Sequence, residues 1–294
     1  MTDSSIRWIA GRPEAESPSL LVMLTGWIDA GGAGAAAMEV IETECHATPF
    51  ATFDDDVYID FRARRPTMEL REGLNSVLHW ARINVSIGRD QAGHDVVLLT
   101  GPEPDMAWHR FSDAVGDLAL ELGVTRMFGL GAYPFAAPHT RSPRISVSTP
   151  SQDVLASVPF MRSSVDVPAG VTASIEHAMH ARGIASLGIW VQVPHYITSM
   201  SYPASSVALL DALREVADIV IDGAQIRQEA LIQRGRLDKL VADNAEHVQM
   251  LVRLEELYDS TRDRGDPNAF GPSLELRSGD ELAAELEQFL RDQD

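Results

Sequence analysis

Short apolar runs alternate along this chain with segments in which apolar residues recur every three or four positions. That is the pattern of an α/β sheet with helical crossovers. SLLVMLTG (19–26) reads as a buried strand and 30–44 as its helix, followed by a strand at 48–54. Between 57 and 88 the stretches VYIDF, TMEL and SVLHWARINVSI alternate polar and apolar, which predicts a hairpin or an edge extension. HDVVLLTG (94–101) is a second buried strand and 106–122 a helix. Strands follow at 125–134 and 144–150 across a proline-rich loop, then a helix at 172–182, a strand at 186–196 and a helix at 204–216.

The alternation then stops. From 221 to 258 there is no proline, and Leu237, Val241, Asn244, Val248 and Leu251 recur at heptad-like spacing. This predicts a helix pair packed on the chain's own core, or a short coiled-coil arm. RDRGDPNAFGPS (262–273) is a linker by composition, and 278–294 reads as a final acidic helix opened by Ser278 or Asp280. The expected division is an α/β domain over 1–222 and a helical C-terminal region with an acidic tail over 223–294.

Composition narrows the function classes. The formal charge is −19, from 43 acids against 24 bases, and such a surface repels nucleic-acid backbones. No run of eighteen apolar residues predicts a membrane span, and no secretory signal is legible at the start, so a cytoplasmic protein is expected. Cys45 is the only cysteine, which excludes an internal disulfide and a cysteine-built zinc site; it reads as a small apolar residue of the first helix.

Candidate chemistry clusters where the predicted strands end. Gly32-Ala33-Gly34-Ala35-Ala36-Ala37 fits the form of a dinucleotide fingerprint, but Gly32 falls seven residues after Thr25, where the strand ends. A nucleotide-binding glycine follows its strand at once. Asp29 instead suits an N-cap accepting from the amides of Gly31 or Gly32, and its carboxylate takes the position a phosphate would need. Glu103 and Asp105 in GPEPD could serve as acid and base, or form a stiff turn into the next helix. Tyr133, His139 and Arg141 are read as lying on a loop off a strand end, a pocket wall or a contact loop. His177 and His180 share a helix face without a third ligand, and Ser76, Ser112 and Ser174 lack the elbow that exposes a nucleophile. The candidate pocket or partner contact is therefore Asp29, Gly31, Gly32, Glu103, Tyr133, His139 and Arg141, with no cofactor and no metal expected.

TGWIDAGGAG, DFRARRP, LTGPEP, GLGAYP with PHTR, VPAGVTASIEHA and YPASSVALLDAL, in this order from about Arg7 to Leu213, resemble the proteasome assembly chaperone family of actinobacteria and archaea. The resemblance implies a phosphorylase/hydrolase-like three-layer α/β/α fold with a mixed sheet, to which the helical appendage is added. It also implies non-enzymatic oligomers, a dimer or trimer here, that associate with proteasome subunits. Some members of the group carry a carboxylate–amine ligase label, but this sequence has no matching glycine loop or phosphate lysine. The hydrophobic-Tyr-X tail of some such chaperones is also unmatched, since this sequence ends Arg291-Asp292-Gln293-Asp294. The reading from another class is an enzyme of the same fold, with its pocket near Asp29, Glu103 and Tyr133.

Overall fold

The computed structural model describes residues 5–263. In chain order the strands are β1 (Ile6–Trp8), β2 (Ser19–Thr25), β3 (Thr48–Phe53), β4 (Thr67–Arg71), β5 (Leu74–His79), β6 (Asn84–Arg89), β7 (Asp95–Pro102), β8 (Arg126–Phe135), β9 (Ile145–Ser148) and β10 (Ala185–Pro194). The α-helices are α1 (Ala33–Glu44), α2 (Asp55–Tyr58), α3 (Trp108–Glu121), α4 (Gln152–Ser157), α5 (Val171–Ala181), α6 (Pro203–Ala217), α7 (Ala224–Ala242) and α8 (Ala245–Asp263).

Eight strands form one mixed sheet in the order β1-β3-β6-β7-β2-β8-β10-β9. β7, β2, β8 and β10 run parallel at its centre, while β6 and β9 are antiparallel to their neighbours. The central strands read as unbroken apolar runs because both faces are covered. Along β2, Leu21 and Met23 point to one apolar cluster with α1 and α6, and Leu20, Val22 and Leu24 to the other with α3 and α5. The three-layer α/β/α architecture expected from the sequence is present.

The alternating region resolves into two pieces. β6 joins the main sheet, whereas among the described residues β4 and β5 pair only with each other, as a ribbon outside it. Leu74 on the ribbon is 67% exposed, and Met68, Leu70, Val77 and Leu78 are exposed as well.

From Ala224 to Asp263 the chain is a helix pair that packs back on its own core: Ile226 and Leu237 of α7 belong to the α1/α6 cluster. The heptad seam is not continuous. Asn244 sits between the helices, and its side chain accepts from the amides of Glu246 (2.9 Å) and His247 (3.4 Å), capping α8, while Val248 is exposed. The acidic helix expected at 278–294 lies outside the described residues.

Candidate functional site

The carboxyl ends of β2, β7, β8 and β10 lie at one edge of the sheet, where α/β folds place their ligands. After β2 the backbone turns through Gly31 (φ 61°) and Gly32 (φ 59°), both in the left-handed region that glycine tolerates. A one-turn 3-10 helix (Ala30–Gly32) therefore separates Asp29 from α1. The Asp29 carboxylate bridges it and accepts from Gly34 (2.8 Å) and Ala35 (3.0 Å). Capping holds, but the amides are these two rather than those of Gly31 or Gly32, because the extra turn displaces the helix start. Burial raises the Asp29 pKa, and the two amides oppose that rise. The anion-binding amides of the glycine corner are thus held by the chain's own carboxylate. Asp29→Ala is expected to cost about 1 kcal/mol or more in unfolding free energy, as lost caps do. Thermal or denaturant unfolding that left the variant as stable as the parent would refute the capping role.

Glu103 plays the same part on the opposite face. It is buried beyond the end of β7, and its Oε1 accepts a short bond from the amide of Val171 at the start of α5. Trp27 packs beside it against Gly170, where an added Cβ would lie 2.8 Å from the indole Cδ1. Asp105 is bound by Arg64, whose Nε reaches both carboxylate oxygens at 3.0 Å, and by the Asp60 amide at 2.9 Å. Asp29, Gly31, Gly32 and Glu103 thus share the strand-end edge, as helix caps and turn positions.

The remaining candidates follow along β8 and beyond its carboxyl end, where Ala132 bridges with Asp29. Tyr133 lies within β8, not on the loop, because the strand continues to Phe135. Its hydroxyl meets Ser146 Oγ and accepts from Gln192 Nε2, each at 3.2 Å. His139, only 2% exposed, is held between Tyr196 and Asp238 of α7. The Asp238 carboxylate only accepts, so the ring proton sits on Nε2 facing it (3.3 Å), and Nδ1 of the neutral ring accepts from the Tyr196 hydroxyl (2.7 Å), which itself accepts from the His139 amide (2.8 Å). Burial lowers the His139 pKa, opposed by Asp238.

Arg141 forks onto Asp259 of α8 at 3.1 and 2.8 Å and reaches Glu255 at 3.0 Å. Thr140 also bonds Glu255, and the Tyr258 hydroxyl donates to the Ser142 carbonyl at 2.7 Å. Arg144 donates to the Tyr258 carbonyl at 2.6 Å and stacks 3.7 Å from the centre of its ring. The loop read as a contact loop is one within the chain: it latches the C-terminal helices. It also borders a groove of about 660 Å³ floored by Val207, Ala208 and Leu231 of α6 and α7.

Two features were not anticipated. The partners of the latch (Asp238, Glu255, Tyr258, Asp259) lie a hundred or so positions along the chain and had no local signal. Glu176 of α5 faces the sheet at 4% exposure, beside Gly188, with both its oxygens 3.3 Å from Ser148 Oγ. Burial pushes its pKa up to about 8. Among the described residues, no group of three or more His, Cys, Asp or Glu is arranged to hold a metal, and no helix is long and apolar enough to cross a membrane.

Comparison with known proteins fits this architecture. A protein of unknown function from Corynebacterium glutamicum is 28% identical with a TM-score of 0.82, over 89% of this chain and 99% of that one. A PAC2 family protein from Streptomyces avermitilis is 28% identical (TM-score 0.72; 80% of this chain, 99% of that one). A proteasome-assembly chaperone homologue from Mycobacterium tuberculosis is 26% identical (TM-score 0.73; 79% and 99%). No curated protein matches the sequence. The model of the PAC2 family matches residues 23–241, from the middle of β2 to the end of α7, and on that extent the chain belongs to the PAC2 family.

Proposed function

We propose that this chain is a non-enzymatic protein-binding factor, acting as an oligomeric chaperone or scaffold for proteasome components in the cytoplasm. Family membership supports a chaperone-like role, and the partner class comes from the similar Mycobacterium protein, itself described as a proteasome-assembly chaperone homologue. The observation that carries the reading is the division of the surface. Asp29, Glu103, His139 and Arg141 are each committed to bonds that hold the fold, whereas large apolar side chains on β4, β5 and the strand-end loops face solvent. Exposed apolar clusters of this kind mark protein contacts.

The test is isolation of the tagged protein from its host, together with proteasome assembly followed with and without it. Co-purifying proteasome subunits and a changed yield or rate of assembled particles are the expected results. Association is expected to slow as salt rises, since a −19 surface is steered by basic partner patches. Turnover of a small molecule that disappeared on Asp29→Ala or Glu103→Ala would overturn the proposal, as would unaltered assembly.

A further inference from the structure

α6 faces the groove described above with Ala204, Val207, Ala208 and Asp211, and α7 faces it with Arg227, Ala230, Leu231 and Arg234. On both helices these positions recur at three- and four-residue spacing, so each helix lends one continuous stripe. Ala204, Ala208 and Ala230 are too small to fill the space between the helices, and Leu231 stands in it with 76% of its surface exposed. From Ala204 to Glu215 the α6 stripe runs about 16 Å, at a rise of about 1.5 Å per residue. The result is an open, mostly apolar channel along two helices.

We propose that residues 278–294 of this same chain seat in the groove as a helix and withdraw it from the surface offered to partners. Three observations select that occupant. The first is pattern. Leu282, Leu286, Phe289 and Leu290 fall at i, i+4, i+7 and i+8, an apolar stripe about 12 Å long that fits within the groove. The second is position. Asp259, one turn before the end of α8, is held by Arg141, which itself lines the groove, so the described chain leaves at the groove's rim. Residues 264–277 then span up to about 45 Å when extended, enough to bring the stripe to any point of the groove. Tethering at such a length gives an effective concentration on the order of a millimolar, so a contact as weak as about 0.1 mM keeps the groove about nine-tenths occupied. The third is charge. Residues 278–294 carry six acids against one base, Arg291, in a chain of net charge −19. The groove is lined by Arg141, Arg227 and Arg234 against Asp211 and Glu215. Each of these arginines also pairs within the fold, so charge selects the occupant and the apolar stripe supplies the affinity.

Amide hydrogen exchange on the full chain tests it. The amides of 282–290 are expected to exchange about tenfold more slowly than their intrinsic rates, equally at low and high protein concentration. Leu231→Glu, at an exposed position of α7, is expected to remove that protection, and so is Leu286→Glu combined with Phe289→Glu in the segment itself. Continued protection of β8 and β10 in each variant shows that the fold is intact and that only the seat is lost. Exchange of 282–290 at intrinsic rates in the parent chain overturns the proposal. Protection that survives Leu231→Glu also overturns it, since the segment is then ordered elsewhere or by itself. Protection that fades on dilution overturns it as well, because the groove is then filled by a second copy.

Discussion

Replacing Glu176 by glutamine is expected to raise the melting temperature by roughly 10 °C at pH 8 and to change it little at pH 5. The carboxyl group is enclosed by α5, β9 and β10; an added Cβ at Gly188 would come within 2.5 Å of its Oε1, and among the described residues its polar side-chain contact is the Ser148 hydroxyl. That hydroxyl also accepts from Trp190 Nε1 at 3.2 Å, so its proton is free to be donated to Glu176. One neutral hydroxyl does not offset the desolvation of a charge, and burial lifts the pKa from 4.5 to about 8.

The sign follows from proton counting. Between pH 4.5 and about 8 the unfolded chain has lost this proton and the folded chain keeps it, so stability falls as pH rises across that window. Each pH unit crossed there removes about 1.4 kcal/mol, so the full loss is on the order of a few kcal/mol. For a domain of this size that amounts to about 2–4 °C in Tm per kcal/mol. Glutamine has nearly the same shape and does not ionise, so its Tm curve flattens over the window. A Glu176→Gln curve parallel to the parent's from pH 5 to 8 would exclude Glu176 as the source.

This carboxylate also marks the limit of what sequence conveys. In VTASIEHAMHA the helix was readable from 172 onward, its buried residues Val171, Ile175 and Met179 recur at helical spacing, and His177 and His180 share an exposed face. That Glu176 turns inward depends on Gly188 leaving it room on a strand twelve residues later, and no helical period encodes that. The central strands were legible because burial on both faces erases their polar positions. β1 and α4 were not, being short and at the periphery, and β6 was merged with the ribbon because all three strands alternate in the same way. Asp29 could be placed as a cap from local chemistry, yet not its amides, because the 3-10 turn between depends on two left-handed glycines. Most opaque was the latch. Local spacing marks His139 and Arg141 as loop residues and is silent on the helices folding back 99 and 118 positions later to meet them.

That latch sets the other large expectation: Arg141→Ala is expected to speed amide exchange throughout α8 by roughly tenfold while leaving β8 and β10 protected. α8 has few buried contacts of its own among the described side chains, with Leu254 the one that is well covered. A helix with so little apolar burial depends on its polar attachments and opens locally without the core. Arg141 supplies the geometric part of the attachment, a fork onto Asp259 with a third bond to Glu255, and the Asp259 bonds raise its own pKa further. Charge-assisted forks are stronger than single neutral bonds, and loss of this one removes the Arg141 guanidinium from Asp259 and Glu255. Arg141→Lys keeps the charge but not the fork, and is expected to fall between the alanine variant and the parent. Acid is expected to loosen the same helices through His139. Its folded pKa lies below the unfolded value, so its contribution is present above pH 6.5 and is lost as pH falls below that value. Exchange in α7 around Asp238, corrected for the intrinsic rate, should therefore quicken below pH 6.5. Uniform exchange across the chain in Arg141→Ala would mean that α8 opens only when the whole molecule does, and the latch would then be an ordinary surface contact.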